Sequence, residues 1–121
     1  MAFKWSEYFD LAKFLYSNSS SFCQITQEAA YRSAVSRAYY AAFCHSREYA
    51  RSNYGFVPTG TGEDHRLVRD VFRRRGISEI SDRLKALHQW RKMCDYDNKV
   101  NNIGTITQKA IKETMDIFQT I

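Results

Sequence analysis

The sequence predicts an all-α domain, an antiparallel up-and-down bundle of about five helices, on three observations. Apolar residues recur at helical spacing along most of the chain. No stretch alternates strictly between apolar and polar as a half-buried strand does. One proline and five glycines leave long segments unbroken. The 121 residues suit one domain, here 1–121, and short connections favour antiparallel neighbours.

The first helix is expected from Ser6 to Tyr16, where Phe9, Ala12 and Tyr16 share a stripe that Leu11, Phe14 and Leu15 widen; the polar run Ser17 to Ser21 ends it. The second starts near Thr26, a suitable cap, and continues to Asn53, a rod of roughly 40 Å. Gly55 to Gly62, with Pro58, is the one long loop. The third helix runs from Glu63 to Arg75, opened by the capping-box spacing of Thr61 and Asp64 and stopped by Gly76. The fourth begins near Ser78 and carries Ile80, Leu84, Leu87, Arg91 and Cys94 on one stripe. The fifth opens with a second capping box, Thr105 to Gln108, and continues through Ala110, Ile111, Met115, Ile117 and Phe118.

Composition narrows the function classes. No apolar run approaches the ~20 residues that span a bilayer, and the N-terminal residues meet charge too soon for a secretory leader, so the expected address is cytoplasmic with no membrane partner. Cys23, Cys44 and Cys94 are odd in number and widely spaced, which argues for reduced core thiols rather than a disulfide framework or a zinc site. A net charge of +5 favours a polyanionic partner, though the excess is moderate and many basic proteins of this size bind no nucleic acid.

In the second helix, Ala30, Ala34, Ala38, Ala41 and Ala42 form a narrow ridge with Tyr31, Val35, Tyr39 and Phe43 beside it. Bundle packing explains that ridge. The segment Ser36-Arg37-Ala38-Tyr39-Tyr40-Ala41-Ala42-Phe43 goes further, and resembles the second-helix motif of the HEPN domains, in the small stand-alone prokaryotic members. The resemblance extends to Asp64-His65 and to Leu84-x-x-Leu87-x-x-x-Arg91-x-x-x-Asp95-Tyr96-Asp97, spanning about Ala29 to Phe118. It implies a helical bundle, a homodimer, and a role in a toxin–antitoxin or other defence system. It also implies RNA as a partner, alongside an antitoxin or a small nucleotidyltransferase. Many members are metal-independent ribonucleases that use an arginine followed four to six residues later by a histidine. Here Tyr96 stands at such a position instead, and phenols, which ionise near 10, are poor general bases at neutral pH.

Helical spacing independently places His88, Arg91 and Asp95 on one face. Arg91 continues an apolar stripe, so it requires a partner; Asp95 supplies a carboxylate, and Tyr39 or Tyr40 would add hydroxyls if their helices pack together. Two readings stand. Arg91 and Asp95 form an ion pair that fixes register, or Arg91 lies in a cleft and grips RNA phosphate, with His88 or Tyr96 as catalytic partners and Arg37, Tyr39, Tyr40, Asp95 and Asp97 in support. Asp95 and Asp97 lie two apart and would diverge on a helix, which argues against a metal pair; no cofactor or metal is expected. His45 and His65 are single histidines and read as structural.

Arg66, Arg69 and Arg73 fall at i, i+3 and i+7 of the third helix, a face that would track an RNA backbone. The alternative is a solvated face, since Glu63, Asp64 and Asp70 offset much of the charge. Three functions remain open: an RNA-associated or partner-binding module, an active ribonuclease using Arg91 with His88 or Tyr96, and a purely structural dimer.

Overall fold

The computed structural model describes residues 3–21 and 24–121. Cys23, expected in the core, lies outside them. The described residues contain five α-helices and no strand: α1 (Ser6–Ser17), α2 (Gln24–Tyr54), α3 (Asp64–Arg74), α4 (Ser78–Tyr96) and α5 (Ile103–Thr120), with a single 3-10 turn over Ser19–Ser21. The longest, α2, is the element against which all the others pack. It begins two residues before Thr26, which therefore sits inside its first turn rather than capping it.

The alanine ridge explains how α5 comes so near α2. Ala34, Ala38, Ala41 and Ala42 are fully buried, and no side chain there holds the neighbouring backbone away. Thr114 Oγ1 of α5 donates to the Ala38 carbonyl at 3.1 Å, and Gly104 lies against the Tyr31 ring. The core around the ridge includes Ala12 of α1, Val35, Tyr39 and Phe43 of α2, Val68 and Phe72 of α3, Ile80, Leu84 and Leu87 of α4, and Ile117 of α5. Three apolar residues expected on buried stripes are instead exposed: Leu11 and Phe14 on α1 and Met115 on α5.

Local chemistry ends the helices where turns are needed. Gly76 at φ 79° closes α3, with its N–H donating to Arg73 and that of Ile77 to Phe72, the paired bonds of a left-handed C-terminal cap. At the start of α3 the expected capping box is rearranged. Thr61 Oγ1 accepts from the Glu63 N–H, while the Asp64 carboxylate reaches back to the Thr59 and Gly60 N–H groups, fixing the loop. Those bonds, Thr59 first, hold the Asp64 carboxyl below the usual carboxylate range. The box expected at Thr105 does not form: α5 starts at Ile103 after Asn102, whose φ of 57° suits its short polar side chain.

Arg32 of α2 ties down the end of α4. Its Nη1 donates to the Cys94 and Asp97 carbonyls at 2.9 and 2.7 Å, groups that the last helical turn leaves without partners. Arg32→Ala is expected to cost about 1–3 kcal/mol, because at least one partly buried carbonyl loses a charged donor. A urea midpoint unchanged from wild type would show that water replaces the guanidinium without loss.

Candidate functional site

One face of α2 carries Arg37, Tyr40, Cys44 and Arg47, spaced three or four residues apart, and this face floors an open cleft of about 520 Å³. The start of α1 supplies Trp5 and Tyr8 as one wall; α4 supplies Arg91 and Asp95 as the other. Guanidinium groups and aromatic rings interleave. Arg37 lies over Tyr8 and Tyr40 at 4.9 and 5.4 Å, Arg47 over Trp5 at 5.6 Å, and Arg91 over Tyr40 at 5.0 Å. Such stacking holds cations in place, and the Nε atoms of Arg47 and Arg91 are buried.

Charge in the cleft is unbalanced. Three arginines line it against one carboxylate, Asp95. Arg91 Nε lies 2.7 Å from Asp95 Oδ2, the expected ion pair, with the Arg91 side chain only 16% exposed. Arg47 meets Glu48 at 3.4 Å, and Arg37 has no carboxylate within ion-pair distance among the described residues. Cys44 is no nucleophile: burial pushes its thiol up to about 11 despite the nearby Arg47, so it stays protonated at neutral pH.

Behind Tyr40 lies a second cluster, centred on two histidines. His65 of α3 and His88 of α4 stack with ring centroids 5.0 Å apart and planes 9° apart, and Tyr39 and Phe43 of α2 pack against them. The Tyr39 hydroxyl is hydrogen-bonded to His65 Nδ1. This corrects the expectation that a tyrosine hydroxyl would serve Arg91: Tyr39 turns to His65, and Tyr40 offers Arg91 its ring. Burial, then the charges of His65, Arg69, Lys92 and Arg91, pull His88 down to about 4. Burial and the same two arginines lower His65, and burial raises Tyr39 well above the ordinary phenol range. At neutral pH all three are uncharged, so none is a ready proton donor in the way an imidazolium would be.

The other residues singled out from sequence separate. Tyr96 is 71% exposed, with Arg91 5.5 Å from its ring centroid. Asp97 contributes its carbonyl to Arg32 and lines no part of the cleft. On α3, Arg66 pairs with Glu63 and Asp70, and Arg73 with Asp70 and Ser81, while Arg69 sits near the histidines with its Nη1 buried and unpartnered. The three therefore do not form one even phosphate track. Among the described residues, no group of three or more His, Cys, Asp and Glu side chains is placed to hold a metal ion, and no helix is long and apolar enough to cross a membrane.

Sequence reasoning missed Arg47, Trp5, Tyr8 and the partnership of His65. Arg47 was legible, ten residues after Arg37 on the same face of α2. Trp5 and Tyr8 were not, because only the docking of α1 brings them opposite that face.

Fold and site together define an all-helical domain with an arginine-rich, aromatic-walled cleft. The chain matches no family model, no curated protein and no solved structure.

Proposed function

We propose that this chain is a HEPN-like, antiparallel helical module that binds RNA through the Arg37–Arg47–Arg91 cleft. Its setting is a prokaryotic, cytoplasmic defence or toxin–antitoxin system, where it acts as a homodimer with an antitoxin or nucleotidyltransferase partner. The family, setting and partners rest on the resemblance of the Ser36 to Phe43 and Arg91 to Asp97 segments. The RNA reading rests on one observation: three guanidiniums face one cleft among aromatic rings, and one of them, Arg37, has no carboxylate partner among the described residues, while Arg47 pairs with Glu48 and Arg91 with Asp95. Guanidinium forks bind phosphate oxygens in pairs, and aromatic faces accept unstacked bases. The ribonuclease alternative, Arg91 with His88 or Tyr96, has less support. His88 is neutral and stacked on His65, away from the cleft lining, and Tyr96 stands outside it.

Binding of a labelled single-stranded RNA, followed by anisotropy at low salt, tests this. Arg37→Ala and Arg91→Ala are each expected to weaken binding by roughly five- to twentyfold and to reduce the salt slope by about one. Arg83→Ala, whose guanidinium is held by Glu113 and Asp116 away from the cleft, should leave affinity within about twofold. Equal binding by all four proteins, or none by wild type at low salt, rules the cleft out as an RNA site.

A further inference from the structure

We propose that Asp95 is a gate on Arg91: its carboxylate lies against Nε of the guanidinium in the free protein and neutralises its charge, and an incoming phosphate displaces it. The inference rests on the cleft reading above. Asp95 is the one carboxylate lining the cleft, and its Oδ2 lies 2.7 Å from Arg91 Nε. Yet the Nε N–H is buried and makes no hydrogen bond. Charge holds the pair together; direction does not. The second tether is weak too, a hydroxyl donated by Ser36 Oγ to the same oxygen at 3.4 Å.

Position adds a further strain on the carboxylate. Asp95 lies in the last turn of α4, where the helix dipole is negative and a carboxylate is disfavoured. A phosphate brings more acceptor oxygens and lies free of that turn, so it satisfies Arg91 better. Arg37, without a carboxylate partner, provides the initial attraction. Asp95 thereby determines which anions reach Arg91: those with enough charge and acceptors to displace it.

The sign of the Asp95→Asn effect separates a gate from a buttress that aims Arg91. A gate predicts RNA binding tightened by roughly five- to tenfold, and by less than about twofold when Arg91→Ala is also present. Ser36→Ala, which loosens the carboxylate, is expected to tighten binding in the same direction by less, and serves if Asp95→Asn fails to fold. Weakened or unchanged binding overturns the gate, as does an equal gain in the Arg91→Ala background, which would reflect only the change in net charge. If no variant binds RNA, the cleft reading falls, and titration with inorganic phosphate decides the gate separately. The Arg91 Nε–Hε signal of labelled protein should then respond at lower phosphate in Asp95→Asn than in wild type; an identical response overturns it.

Discussion

Phe72→Ala is expected to lower the unfolding free energy by about 3–5 kcal/mol, a large share of what a domain of this size possesses. Phe72 is fully buried on α3 and packs against Tyr49 and Tyr54 of α2, with ring centroids 6.1 and 5.8 Å away. Truncation leaves a cavity that two large aromatic rings cannot easily collapse to fill. Because α3 also carries His65 and Arg69, its loosening should disturb the histidine cluster as well. Phe14→Ala is the contrast: with Phe14 60% exposed, the cost should be under about 0.5 kcal/mol. Urea midpoints for the two variants check the pair, and similar losses would mean that α3 is not anchored as described.

Acid should destabilise the protein before its carboxylates titrate. His88 has its pKa lowered from 6.5 to about 4 in the folded state, and that of His65 is lowered too. Between those values the unfolded chain takes up a proton that the folded chain refuses, so stability falls as pH drops from about 6.5 to about 4. Above 6.5 neither state is protonated and the contribution is complete; below about 4 both are, and no more is lost from His88. The loss from His88 is roughly 2–3 kcal/mol at the acid end of that window. The cause is burial first, then the positive groups around the ring: His65 once charged, Arg69, Lys92 and Arg91. His88→Phe keeps an aromatic ring against Tyr39 and His65 but cannot take up the proton. Urea melts at pH 7, 5.5 and 4 should show a much flatter profile for this variant, and parallel profiles would place the acid sensitivity elsewhere.

Much of the fold was legible because helices are local. Apolar spacing identified all five, and Gly76 marked the end of α3 by supplying the positive φ that its cap needs. The Arg91–Asp95 pair was legible for the same reason, being one helical turn apart. Starts were less legible. Thr26 and Thr105 have cap chemistry, but α2 and α5 both begin two residues before them, and Asn102 takes the entry turn of α5 instead.

What the sequence by itself determined, then, is the set of helices, the small-residue ridge on α2 and the contacts within one turn. Only the tertiary structure decided which side chains from different helices meet. It put Trp5 and Tyr8 opposite Arg37 and Arg47, turned Tyr39 to His65 rather than Arg91, and stacked His65 on His88 across 22 intervening residues. The physical reason is rotational. Periodicity fixes which residues share a face of one helix, but the contacts that set each helix's rotation and depth against α2 are made between helices, and no spacing along the chain encodes them.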